Sequence, residues 1–174
     1  MKTLLFGLAA ITLLTTGCTQ VPAEMPDDFS LRLEWNTGAL PPQYTYMYTV
    51  TIGPGQQGKL EYRPGYDPED DTHFWLADFT PEKDQMAAFY DYLQENDLMR
   101  DNWKKGQLLL GSSGTSITLT AYGKTYQIPS IAELDKDERV RAEAAMDAIR
   151  SLVPQALWDE METRQAAYEA AYEE

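Results

Sequence analysis

The stretch that decides the fold is Tyr44-Thr45-Tyr46-Met47-Tyr48-Thr49-Val50-Thr51-Ile52, in which aromatic and β-branched residues alternate with threonine or methionine. An alternation with a period of two is typical of a β-strand that buries one face. Aromatic and β-branched side chains pack well on a pleated surface, which strengthens the prediction. The alternation predicts a strand whose buried face carries Tyr44, Tyr46, Tyr48, Val50 and Ile52.

The glycine-rich segment 53–58 ends this strand and predicts a turn, after which residues 59–63 return as a second strand. Placing Ile52 opposite Leu60 sets Val50 opposite Tyr62. Both strands then bury the same face, as an antiparallel pair requires.

Further strands are predicted on both sides of this hairpin. Upstream, residues 29–35 alternate apolar and polar side chains. Downstream, residues 72–79 predict a fourth strand, and Leu108-Leu109-Leu110 predicts a short one. Tyr122-Gly123 predicts a two-residue hairpin turn. Around that turn the pairs are Leu119 with Tyr126 and Ile117 with Ile128.

Two helical regions complete the pattern. Thr80 and Pro81 predict the cap and first position of a helix over residues 81–96. Beyond Pro129 the chain is predicted to be helical to its end, with a kink or restart at Pro154. The sequence therefore predicts an α+β fold: a mainly antiparallel sheet of about five to seven strands with one helix packed on a face and a C-terminal helical segment.

The N-terminus has the pattern of an export signal. Residues 1–17 contain one positive charge at Lys2, an apolar run from Leu4 to Leu14 and a final Gly17 directly before Cys18. The apolar run is too short to span a bilayer but suits a secretory signal peptide. Cys18 is the single cysteine, so an internal disulfide is not possible.

This N-terminus resembles the signal of bacterial lipoproteins, although Thr15 stands where such signals usually carry leucine. The resemblance implies that residues 1–17 are removed and that Cys18 receives two or three acyl chains such as palmitate. It also implies an exported protein, anchored to the cell membrane or the outer membrane, whose domain lies in the periplasm or at the cell surface. More than one acyl chain makes such anchoring stable.

Charge excludes one class of partner. The chain contains 28 acidic and 14 basic residues, for a net charge of −14. Nucleic acid is repelled by such an excess, and no basic cluster exceeds Lys104-Lys105. We therefore expect no nucleic-acid partner.

The sequence offers little catalytic chemistry. His73 is the single histidine, and Gly111-Ser112-Ser113-Gly114 lacks the G-x-S-x-G spacing of a nucleophile elbow. We expect no catalytic residues and a binding or scaffolding role. The alternative is an envelope hydrolase of the glycosidase kind that uses two acidic residues, which one sequence cannot identify.

A loop of clustered acids could bind Ca²⁺. Carboxylate oxygens are the ligands that Ca²⁺ prefers, but the loop lacks the alternating acids and central glycine of an EF-hand. Solvated loop acids are the competing interpretation, and no other cofactor is expected. The candidate ligands are Asp67, Glu69, Asp70 and Asp71.

Aromatic residues of the predicted strands could bind a glycan or an extended peptide if their rings form an exposed row. The competing interpretation places the same rings in the core under the helix. The candidate residues are Trp35, Tyr44, Tyr46, Tyr48 and Trp75, with Tyr62 beside them.

The order of elements resembles a loosely defined group of uncharacterised bacterial lipoproteins. The similar features are residues 29–33, the Tyr48–Ile52 strand before a glycine turn, Phe79-Thr80-Pro81 before a helix, and residues 117–128 around Gly123. The resemblance implies a compact sheet-and-helix domain over residues 29–153, preceded by a lipidated tether over 18–28. The helix at 154–174 either packs on this domain or projects to bind a partner, which could be another envelope protein.

Overall fold

The computed structural model describes residues 24–65 and 74–171 of the chain. Single 3-10 turns lie at Pro42–Tyr44 and Ile131–Glu133. In chain order the strands and helices are β1 (Ser30–Asn36), β2 (Tyr46–Ile52), β3 (Gly58–Pro64), β4 (Trp75–Phe79), α1 (Lys83–Glu95), β5 (Gly114–Ala121), β6 (Lys124–Ile128), α2 (Lys136–Ser151) and α3 (Gln155–Ala171).

The six strands form one sheet in the order β4-β3-β2-β1-β5-β6, with every neighbouring pair antiparallel. β1 pairs with β2 on one side and with β5 on the other, so the first strand of the domain lies in the middle of the sheet. The predicted α+β fold, with its antiparallel sheet and C-terminal helix, is confirmed.

Alternation along the strands separates a buried face from an exposed one. Leu33 lies opposite Val50 on one side and Ile117 on the other, and all three are buried in a core that also contains the inner faces of the three helices. On the other face, Arg32 and Glu34 are exposed and form an ion pair at 2.6 Å. The helices therefore cover one face of the sheet.

The register of the β2–β3 hairpin differs from the predicted one by two residues. Ile52 lies opposite Gly58, because the N–H of Gly53 donates to the carbonyl of Gln57 at 2.9 Å and closes the turn there. Gly58 then begins β3 against Phe79 of β4, whose ring lies where a Cβ would be. A shift of two residues preserves the buried face, so the prediction of which side chains are buried survives the error.

The prediction that Tyr44 lies in β2 is wrong. Pro41 and Pro42 fix their own backbone φ, and the N–H of Tyr44 donates to the carbonyl of Pro41 at 2.9 Å in a 3-10 turn. The hydroxyl of Thr45 then donates to the carbonyl oxygens of Leu40 and Pro41. β2 consequently begins only at Tyr46.

The first helix begins two residues later than predicted. Glu82, and not Thr80, is the N-cap: its side chain accepts from the backbone N–H of Gln85, and the Gln85 side chain accepts from the N–H of Glu82 at 3.2 Å. This reciprocal capping box satisfies two of the free N–H groups at the helix start. Pro81 therefore precedes the helix.

The C-terminal part of the chain folds back onto the sheet. Asp135 caps α2 by accepting from the N–H groups of Asp137 and Glu138, and α2 and α3 meet at Pro154 as the sequence predicts. Trp158 and other side chains of α3 are buried, so the described part of this helix packs on the domain. None of the helices in residues 24–65 and 74–171 is long and apolar enough to cross a bilayer.

Candidate binding surface

A row of aromatic rings crosses β1 to β4 on the buried face of the sheet. Trp35 stacks on Tyr48 with ring centroids 5.1 Å apart, Tyr46 stacks on Tyr62 at 5.2 Å, and Tyr62 stacks on Trp75 at 5.4 Å. A tilted contact of 5.2 Å between Trp35 and Tyr46 joins the two parts of the row. We call these five rings the aromatic ladder.

Side chains of α2 and α3 cover the ladder. The ring of Trp158 meets the ring of Tyr48 edge-on at 5.0 Å. The guanidinium of Arg150 lies 5.4 Å from the Tyr48 ring and 4.7 Å from the Trp158 ring, and it donates to the Tyr48 hydroxyl at 3.0 Å. Cation–π attraction and ring packing therefore hold the helices against the ladder.

Burial makes the phenols of the ladder harder to ionise. Desolvation raises the pKa of Tyr62, and the negative charges of Glu162 and Glu169 add to the increase. Desolvation also raises the pKa of Tyr48, where Arg150 offsets part of the effect. The ladder is therefore neutral at physiological pH and holds its protons above the usual range for tyrosine.

The structure brings together four of the five aromatic residues predicted to bind a ligand. Those four, with Tyr62, form the ladder, and side chains of α2 and α3 pack on it. Tyr44 lies apart from them in its 3-10 turn. A ligand-binding role stays a prediction, in which the reachable rings are the half-buried ones of Trp35, Tyr46 and Trp75.

Three further predictions fall outside the described residues. They concern the lipidation of Cys18, the role of His73 and the possible Ca²⁺ ligands, and they stay predictions. Within residues 24–65 and 74–171, no group of three or more His, Cys, Asp or Glu side chains is placed to hold a metal ion. The loop acids outside those ranges are Asp67, Glu69, Asp70 and Asp71.

Among the described residues, the most exposed run of apolar side chains is in the loop of residues 107–112, which we call the leucine loop. The prediction of a short strand at Leu108-Leu109-Leu110 is wrong, because no strand forms there. The three side chains are 55%, 42% and 88% exposed, respectively. Three consecutive exposed leucines leave apolar surface in contact with water, which costs free energy.

The leucine loop is held in place by its backbone. The N–H of Leu109 donates to the carbonyl of Ala132 at 3.0 Å, and the hydroxyl of Ser112 donates to the carbonyl of Leu109 at 2.9 Å. Asn36 fixes the return to β5, since its Oδ1 accepts from the N–H groups of Gly38 and Gly114. The loop therefore presents its leucines from a fixed base at one corner of the sheet.

A fourth exposed leucine lies in a turn that contacts this loop. Gly38 packs directly against the backbone of Ser112, where a Cβ would come within 2.5 Å of the carbonyl oxygen. Two residues further on, Leu40 is 49% exposed. The contact between the two turns places four exposed leucines at the same end of the sheet.

The leucine loop belongs to a stretch of sequence without acidic residues, and its structural neighbours Glu133 and Asp135 lie just beyond that stretch. Residues 102–132 contain no Asp or Glu, although the whole chain has 28, and they contain Lys104, Lys105 and Lys124. Lys105 pairs with Glu133 at 3.0 Å and Lys124 with Asp101 at 2.9 Å. Lys104 is exposed and has no ion pair within the described residues. This acid-free stretch, visible in the sequence, is the signal that could have pointed to the site.

The N-terminal entry to the domain lies at the opposite end of the strands. The carboxylate of Asp28 accepts from the N–H of Tyr122 at 2.9 Å and from the N–H of Gly123 at 2.6 Å, in the predicted two-residue turn. The Tyr122 hydroxyl donates to the carbonyl of Glu24. The chain therefore enters at the β5–β6 turn, while the leucine loop lies at the Gly114 end of β5.

The buried acid of the described residues has a structural partner. Glu138 forms an ion pair with Arg100, whose guanidinium also lies 4.5 Å from the ring of Trp103. This arrangement joins the chain after α1 to the start of α2. Glu138 is therefore not a free carboxylate for acid–base chemistry.

A scan against protein-family models finds no match, and a search of curated proteins finds no significant match.

Proposed function

We propose that this protein is an exported, lipid-anchored envelope protein whose domain acts by binding and not by catalysis. Support for the anchor comes from the leader and from Cys18, which follows a small residue at the expected cleavage point. Further support comes from the domain: its first described residues are fastened to one end of the sheet by Asp28 and Tyr122. An anchor upstream of Glu24 would thus be joined to a fixed point.

The observation that carries the binding role is the exposure of Leu108, Leu109 and Leu110 on a loop whose backbone is held at several points. A fixed apolar surface loses little conformational entropy when it is covered, which favours association. The remainder of the strongly acidic surface favours solubility. These features suit a domain that binds through its leucine loop while the rest of its surface stays in water.

Replacing Cys18 tests the anchor. In the source cell, the Cys18→Ala variant is expected to leave the membrane fraction after a high-salt wash, whereas the unchanged chain stays in it. The control is Thr19→Ala, which keeps the cysteine and should remain in the membrane fraction. Retention of Cys18→Ala as complete as that of the unchanged chain would contradict the anchor.

A further inference from the structure

We infer that the leucine loop rests on the lipid bilayer and gives the domain a second attachment point. The inference rests on the proposed function, since the anchor brings the domain to the membrane. The exposed leucines then contact the acyl region of the bilayer, just below anionic lipid headgroups. Leu108, Leu109 and Leu110 insert into this region, and Lys104 lies at the level of the headgroups.

The distribution of charge favours a lipid surface at this corner. An anionic bilayer repels most of a chain with a net charge of −14. The acid-free stretch 102–132 is the exception, because its charged residues are three lysines. Lys105 and Lys124 are paired with Glu133 and Asp101, so Lys104 is the lysine of this stretch that is free of an ion pair within the described residues and can contact a headgroup phosphate.

The chain length between the anchor and the domain permits both attachments at once. From Cys18 to Glu24 there are six residue steps, which span at most about 20 Å. The Tyr122-Gly123 turn and the leucine loop lie at opposite ends of β5, whose eight residues span about 25 Å. With the strands lying along the membrane and the β6 edge facing it, one end of the sheet is held by the lipid and the other by the leucines.

Vesicle binding by a chain that lacks the lipid tests the inference separately from the anchor. The protein used is residues 19–174, which retains every residue of the described core. Its binding is measured by flotation with vesicles of phosphatidylglycerol and phosphatidylcholine, and with vesicles of phosphatidylcholine alone. We expect measurable, reversible binding to the mixed vesicles and weaker binding to the neutral ones.

Two variants make the test specific. Replacing Leu108, Leu109 and Leu110 together by serine should weaken binding to the mixed vesicles at least tenfold. The matched control is Leu76→Ser/Val140→Ser, which removes two apolar side chains that are 55% and 59% exposed elsewhere on the domain. This control should change binding less than twofold. Lys104→Glu should weaken binding several-fold on the mixed vesicles alone. All replaced side chains are exposed, so the melting temperatures should be unchanged.

Two results would overturn the inference. One is equal vesicle binding by the triple serine variant, the control and the unchanged chain. The other is no vesicle binding at all by the unchanged chain. If that chain instead crosslinked to an envelope protein in a leucine-dependent way, the loop would be a protein-binding surface. Neither result bears on the lipidation of Cys18, which the fractionation of Cys18→Ala tests independently.

Discussion

At the scale of single residues, Asp28 shows how one side chain fastens the N-terminal entry of the domain to the turn between β5 and β6. Its two carboxylate oxygens accept from successive N–H groups of the Tyr122-Gly123 turn. Glycine at the second position of that turn has φ of +71°, and Tyr122 has φ of +53°. The sequence predicts a two-residue hairpin turn there, and both positive values are those of the type I′ form. The carboxylate bonds could not be predicted, because they join residues 94 and 95 positions apart.

Removing this carboxylate should loosen the N-terminal entry. Asp28→Ala is expected to lower the free energy of unfolding by about 1–2 kcal/mol, because two backbone donors lose a charged acceptor. Urea denaturation measures the loss, and faster amide exchange at Tyr122 and Gly123 would locate it. Asp27→Ala, one residue upstream and exposed, is the control and should change the free energy by less than about 0.5 kcal/mol. Equal effects of the two variants would contradict the role given to Asp28.

The leucine triplet marks where residue-level reasoning fails. Three consecutive leucines favour burial, and the sequence therefore predicts a strand at Leu108-Leu109-Leu110. The loop is instead fixed by bonds from its backbone to Ala132 and from Ser112, and the leucines stay exposed. A local sequence pattern shows which side chains are apolar, but it does not show whether the fold buries them.

At the scale of elements, the period-two patterns of β1, β2, β5 and β6 were sufficient to predict which side chains the sheet buries. The pairing of Ile117 with Ile128 and of Leu119 with Tyr126 is confirmed. The β2–β3 register is off by two because turn closure at Gln57 was not visible in the pattern. The period of the pattern determines which face of a strand is buried, whereas the hydrogen bond within the turn determines the register of the two strands.

The third helix illustrates a tertiary effect that sequence could not decide. Both a packed and a projecting helix were compatible with its pattern, and the structure shows Trp158, Met161 and Gln165 buried. The reason is that Tyr48 of the ladder and Arg150 of α2 both contact the Trp158 ring. The ladder itself is assembled from four strands and has no local signature.

Truncating the main contact of α3 should be costly. Trp158→Ala is expected to destabilise the protein by about 3–5 kcal/mol, as for other buried large aromatics. Chemical denaturation followed by far-ultraviolet circular dichroism measures it. Glu162→Ala, on the exposed side of the same helix, should change the free energy of unfolding by less than about 0.5 kcal/mol. A loss below about 1 kcal/mol for Trp158→Ala would mean that α3 contributes little to the fold in solution.

At the scale of the whole molecule, one sheet face carries the core and the opposite ends of the strands carry different features. The chain enters at the β5–β6 turn, and the exposed leucines lie at the other end. The sequence has an acid-free stretch at residues 102–132 in an otherwise strongly acidic chain. This polarity is consistent with the proposed attachment to a membrane at two points.

The buried tyrosines make global stability sensitive to alkaline pH. The pKa of Tyr62 is raised in the folded protein by burial, so the unfolded chain loses this proton first, near pH 10. Stability from this group is complete below pH 10 and is lost as the pH rises further. Above pH 10 the free energy of unfolding of the unchanged chain should decrease as the pH rises. In Tyr62→Phe this decrease should be smaller by about 1.4 kcal/mol per pH unit.

Urea denaturation between pH 8 and pH 11.5 checks this prediction. Below pH 9 the two proteins should show the same pH dependence, which serves as the internal control. Identical slopes above pH 10 for Tyr62→Phe and the unchanged chain would show that the Tyr62 phenol ionises equally easily in both states, and that the ladder is open to water.

The measurement that tests the central claim most directly is the intact mass of the protein purified from its native membranes. The account predicts a polypeptide that begins at Cys18 and carries the added mass of two or three acyl chains. A chain that still contains residues 1–17, or one that begins at Cys18 with an unmodified thiol, would contradict it.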